Sequence, residues 1–247
     1  MDDKRRELVY KILLMPIICD KSICSVEIKD GVIYTGQNYY SKPDPDMSDL
    51  AIGFYEILYN DILDGKILNK NGYLNNCNYA GDTMNSFNCI ANLVEEAGGT
   101  TKNRTVIEDW PEYLKFYHRR YHCLANFWLL PCCIGRRSSK LNKYDSMDIF
   151  LDRINENYKV IEKHNRYVQK ISDVNEFCKI HCLDGYEPLP KTKITQMYKD
   201  KDAISLIQRA WCGSITNRAD RISKNENICM KLYDFFKGLG LLENDTK

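Results

Sequence analysis

The sequence predicts a mainly α protein of the α+β type, a multi-helix single domain with a small N-terminal β-hairpin. Apolar residues recur at helical spacing through several segments, and strand-like alternation occurs around Asp30-Gly31. No strand-helix alternation runs along the chain, which argues against a doubly wound sheet or a barrel. At 247 residues a substantial core can be buried. The chain reads as an N-terminal helix and hairpin over 1–46, a helical core carrying the candidate site over 47–170, and C-terminal helices over 171–247.

The first element is a short amphipathic helix that Pro16 ends. Its Lys4-Arg5-Arg6 and following apolar residues imitate a signal peptide, but Glu7 and Lys11 interrupt the run and no small-residue cleavage site follows. The segment Ser25–Tyr34 alternates apolar and polar residues about Asp30-Gly31, a strong hairpin signal. Pro43 and Pro45 mark an irregular link. Ser48 caps a helix to about Leu63, with Leu50, Phe54, Ile57 and Leu58 on one face. The Asn-rich stretch Asn69–Ala80 reads as a loop.

Asp82 opens the next expected helix, through Ala97, with Met84, Phe87, Ala91 and Val94 inward and Gly98-Gly99 as its stop. Asp109 and Pro111 start a central helix expected to continue to Pro131. Asp145 caps the longest expected helix, to about Lys170, and Ser172 a further one to Cys182. A loop at Asp184–Lys193 and helices near Ala203–Asn217 and Glu226–Lys237 finish the chain.

With 35 Lys and Arg against 34 Asp and Glu, the formal charge is +1 and no global field points to nucleic acid or an anionic membrane. No apolar run approaches the roughly 18 residues needed to span a bilayer, so no membrane partner is expected. The 11 cysteines are odd in number and scattered, which suits reduced core thiols and a cytoplasmic location.

The central helix carries the chemistry. At 100° per residue, Leu114, Tyr117, Tyr121, Leu124, Ala125 and Trp128 form an apolar stripe, with His118 and His122 one turn apart at its edge. A pair at i, i+4 can ligate zinc, but a zincin needs Glu where Arg119 stands, so no metal is assigned. His122 suits a general acid or base, with Asp82, Asp145 or Asp148 as its partner. Each of those aspartates lies at or near an expected helix start, where capping is the competing role.

Asp82-Thr83-Met84-Asn85-Ser86, as a helix N-terminus, could receive a phosphate together with Arg136-Arg137. Cys178, His181 and Cys182 lack a second ligand pair and read as core residues. Phosphate-loop, dinucleotide, nucleophile-elbow and EF-hand signatures are absent, as is the Arg-x4-6-His spacing of helical HEPN ribonucleases.

The segments Ala80–Phe87 and Tyr121–Pro131 resemble those of a family of uncharacterised bacterial proteins, with the similarity running from about Gly72 to Tyr158. The resemblance implies a bacterial cytosolic protein and brings Asp82, Asn85, His122 and Asn126 forward, without supplying an activity.

Together these readings predict a small cytosolic bacterial enzyme, a hydrolase in type, acting on a nucleotide, RNA or another phosphorylated substrate. His122 is its acid or base, Asp82 or Asp145 orients it, and Asn85, Ser86, Asn126 and Arg136 hold the substrate, with no cofactor. The alternative is a non-catalytic binding or regulatory, defence-related interaction module in which the same residues form a buried polar network. A basic groove near Arg119, Arg120, Arg136 and Arg137 lined with exposed tyrosines would favour nucleic acid.

Overall fold

The computed structural model describes residues 2–36, 43–63, 79–96, 109–131, 146–152, 154, 173–200 and 202–242. The chain is mainly helical with a small amount of β structure. In order, the described elements begin with α1 (Asp3–Leu14), β1 (Ile17–Cys19), β2 (Glu27–Lys29), β3 (Val32–Thr35), α2 (Asp49–Leu58), α3 (Asn60–Leu63), β4 (Tyr79–Thr83), α4 (Phe87–Glu96) and α5 (Glu112–His118). They continue with β5 (Phe127–Pro131), α6 (147–152), α7 (Val174–Ile180), α8 (Lys191–Lys199), α9 (Ala203–Gln208), a π-helix (Arg209–Thr216), α10 (Asn217–Lys224) and α11 (Glu226–Gly238). No helix among the described residues is long and apolar enough to cross a membrane.

Two compact units interleave along the chain: Met1–Asp82, His122–Cys132 and Arg218–Lys247 form the first, Thr83–Tyr121 and Cys133–Asn217 the second. In the first unit Asp2 caps α1 by accepting from Arg5 N at 2.8 Å, and Val9, Ile12 and Leu13 are buried. The hairpin forms where alternation places it. Asp30 (φ 52°) and Gly31 (φ 73°) both adopt the left-handed conformation that a two-residue turn between right-twisted strands requires. β1 joins β3 in parallel, with Ile17 opposite Ile33, giving the order β1-β3-β2. Ser48 Oγ accepts from Ala51 N at 3.2 Å and starts α2. α11 packs on α1 and α2, and at the second crossing a Cβ on Gly53 would lie 2.4 Å from the Phe235 ring. That close approach needs glycine.

In the second unit α4 packs against α5, α8 and α9. Asp173, one residue after the expected cap, accepts from Asn175 N and Glu176 N to start α7. α8 begins just after Pro190, inside the stretch read as a loop. The helix expected from Ala203 contains the π-helix, whose wide turns are tied by side chains reaching back one turn: Ser214 Oγ donates to the Ala210 carbonyl and Thr216 Oγ1 to the Cys212 carbonyl.

Two sequence expectations are corrected. The helix from Asp82 starts instead at Phe87, and Asp82 lies in β4, which pairs with β5. A Cβ on Gly81 would lie 2.1 Å from the Asp46 carbonyl oxygen and 2.8 Å from the Tyr55 hydroxyl, so this chain passes through a slot that only an extended glycine fits. The central helix stops at His118; Leu124–Asn126 is a 3-10 turn and Phe127–Pro131 a strand. A helix to Pro131 would have left the Phe127 carbonyl facing a residue with no N–H. Arg218 supplies that donor instead, at 2.7 Å, and also binds the Ala125 carbonyl at 2.8 Å. The long helix expected after Asp145 lies largely outside the described residues.

Candidate functional site

The second unit is organised around Asn85. The turn between β4 and α4 leaves this residue at φ 50°, a conformation that asparagine tolerates better than most side chains. The residue is 5% exposed and its amide is bonded at both ends: Nδ2 donates to Ser214 Oγ at 2.9 Å, and Oδ1 accepts from Met147 N at 2.9 Å. Met147 opens α6, so this bond satisfies an N–H that has no partner within its own helix. The Asn85 carbonyl accepts the Tyr117 hydroxyl. One residue therefore ties α5, α6 and the π-helix together. Ser86, next in the chain, accepts from Cys89 N at 3.3 Å and caps α4.

Asp148, considered above as a partner for His122, is engaged inside the second unit. It takes Arg209 Nε at 2.9 Å and a second guanidinium nitrogen at 2.6 Å, a bidentate pair, and accepts Leu189 N at 2.8 Å. Arg209 also binds the Glu187 carbonyl and lies 5.1 Å from the centre of the Tyr186 ring, which clasps the 183–190 stretch to α6. Burial, with the Asp148 charge, holds the Tyr186 hydroxyl well above its ordinary range.

Tyr113 and Phe116 share a face of α5 at 100° per residue, and Arg119 and Arg120 follow in the turn that ends the helix. Phe116 is 38% exposed. The Arg120 guanidinium carbon lies 4.1 Å from the centre of its ring, and Trp211 of the π-helix meets Phe116 edge-on at 5.9 Å. Arg119 is exposed. Across the helix, His118 stands edge-on to Phe87 and to Trp110. Burial first, then the Arg119 charge, lowers its pKa and favours the neutral ring.

In the first unit the prominent group is Arg218, 1% exposed. Besides the Ala125 and Phe127 carbonyls, it donates to Tyr59 Oη at 3.0 Å, and its guanidinium lies 5.2 Å from the Trp128 ring centre. Burial, followed by the charge of Asp46, raises the Tyr55 pKa well above its ordinary value, while Arg218 opposes that shift and Asp82 adds to it. Tyr55 donates to the Asp46 carbonyl at 2.9 Å. Asp82 thus belongs to a buried polar group with Tyr55 and Arg218.

Asn126 is buried in the 3-10 turn, between the two residues whose carbonyls Arg218 holds. His122 is half-buried; its carbonyl accepts Ile17 N at 2.8 Å, anchoring β1, and its ring faces Phe127 at 6.3 Å. Burial pushes the neighbouring Cys123 thiol up to about 12, which makes it a poor nucleophile.

Asp82, His122 and Asn126 belong to the first unit, Asn85 and Ser86 to the second, and Asp145 and Arg136 lie outside the described residues. His118 and His122 are not one helical turn apart, because the helix ends between them. Among the described residues no group of three or more His, Cys, Asp or Glu is placed to hold a metal ion.

Sequence reasoning missed Arg218, although a signal existed: it sits in the stripe Ile215, Ala219, Ile222, where an arginine must be buried with partners or break the helix face. It also missed Trp211, which the π-helix carries against Phe116. Comparison of the chain with protein-family models, with curated proteins and with solved structures gave no match.

Proposed function

We propose that this chain is a non-catalytic binding module of the bacterial cytoplasm whose ligand is single-stranded RNA, held on the α5 and π-helix face of the second unit. The observation that carries this reading is the Arg120–Phe116–Trp211 cluster: a solvent-exposed phenyl ring stacked under a guanidinium and flanked by an indole. Single-strand binders use such surfaces because every base has a π-face to stack and arginine offers planar donors to phosphate. Arg119, exposed beside it, adds positive charge.

The Asn85 amide is buried and bonded to protein through both its nitrogen and its oxygen, which suits a structural role and weighs against the enzyme reading. The described cysteines are free thiols, most of them buried, which is in keeping with a reducing compartment. The resemblance of Ala80–Phe87 and Tyr121–Pro131 to bacterial proteins belongs to the same reading.

The test is fluorescence anisotropy with a labelled oligouridine at low salt. The wild-type chain binds, and Phe116→Ala and Arg120→Ala each weaken binding by roughly tenfold, the scale of one lost stacking contact. Raising the salt weakens binding, with a shallower slope for Arg119→Ala. Equal binding by wild type and Phe116→Ala, or none by wild type, overturns the proposal.

A further inference from the structure

The Phe116–Trp211 platform is assembled from two elements that are distant in sequence, and an exposed edge-on contact is too weak to hold them in register by itself. We infer that Asn85 is the positioning residue that sets this platform, acting through Tyr117 and Ser214. The inference rests on the RNA-binding reading for its functional meaning, but its geometry stands independently.

Each half of the platform lies beside one of Asn85's bonds. Tyr117, whose hydroxyl donates to the Asn85 carbonyl, directly follows Phe116. Ser214, whose hydroxyl accepts from Asn85 Nδ2, lies three residues after Trp211 in the same π-helix. Ser214 also donates to the Ala210 carbonyl, so the bond to Asn85 fixes the π-helix at the turn that presents the indole. The third bond, from Met147 N to Oδ1, orients the amide so that Nδ2 faces Ser214. The left-handed φ of 50° at Asn85 directs its carbonyl and its side chain to different helices at once. A glycine keeps that backbone and removes only the amide.

Trp211 makes the idea measurable without a ligand. Of the chain's 3 tryptophans, Trp110 and Trp128 are buried and Trp211 is half-exposed, so iodide quenching reports mainly on Trp211. Asn85→Gly and Ser214→Ala each increase iodide quenching and red-shift the emission. Each also weakens oligouridine binding by roughly tenfold, as if one stacking contact were lost. The double variant is no worse than the weaker binder of the two, because both remove one bond.

Phe177→Leu, which loosens the same unit without removing any bond to Asn85, lowers the melting temperature but leaves quenching and affinity as in wild type. This control separates positioning from general destabilisation. If Asn85→Gly fails to fold, Ser214→Ala and Tyr117→Phe, each lacking a single bond, give the same readout.

Folded variants with wild-type quenching overturn the inference. If Phe116→Ala loses binding while those variants keep it, the inference fails and the RNA reading survives. If wild type binds no RNA, the RNA reading fails and Trp211 quenching still decides the role of Asn85.

Discussion

Asn85 and Arg218 perform comparable tasks in the two units by opposite physical means. Asn85 is short and neutral; it reaches three partners because a left-handed turn aims its carbonyl and its amide in different directions. Arg218 is long and charged; it reaches two carbonyls and a phenol from one helix position because the guanidinium presents a fork of donors. A neutral hub costs little to bury once its bonds are made. A buried guanidinium must hold every bond, because the desolvation of its charge is large. The lesson is that similar connectivity implies different sensitivity to the loss of one partner.

The sharpest way to break the comparison is Arg218→Ala. It removes a donor from both the Ala125 and Phe127 carbonyls and leaves a void beside Trp128, and the expected loss is about 3–5 kcal/mol. The measurement is the denaturant midpoint, with near-ultraviolet circular dichroism following Trp128. Arg218→Lys does not restore stability, since an ammonium lacks the fork geometry. Near-wild-type stability of Arg218→Ala would remove this group from the support of the Leu124–Pro131 segment.

Tyr59→Phe and Tyr117→Phe compare the two anchors directly, each removing one phenol oxygen. Losing the Tyr59 acceptor strands a charged N–H and costs about 1.5–3 kcal/mol, while losing the Tyr117 donor removes a neutral bond and costs about 1 kcal/mol. Equal shifts in both midpoints would refute the distinction between charged and neutral anchors.

The smallest effect is a pH dependence in the second unit. The His118 pKa is lowered in the folded chain from an ordinary value of 6.5, so the unfolded chain takes up the proton first as pH falls. Stability is therefore lost as pH drops through about 6.5 and stops changing below the lowered folded value. His118→Gln flattens thermal unfolding over that window; an unchanged profile would assign the slope to other groups.

The hairpin, α1, α2 and α11 were legible because their signals are local. Asp30-Gly31 selects its turn, Pro16 stops α1 by lacking an N–H, and Ser48 caps α2 with its own hydroxyl. The segment around 122–131 was not legible as drawn. Its residues have no strong breaker before Pro131, and the helical reading failed because carbonyls at 125 and 127 found a donor some ninety residues away. The candidate site was legible only in part. Asn85 stood out as a polar intrusion beside an apolar helix, yet its partners Ser214 and Tyr117 could not be named from spacing.

By itself the sequence determined the fold class, the turn at Asp30-Gly31 and the helices with local caps, because those depend on dihedral preference and bonds within a few residues. Tertiary structure decided where the central helix ends, that Asp82 lies in a strand and that Asn85 faces inward. Each of those outcomes follows from burial, which obliges a polar group to find a partner wherever the chain brings one.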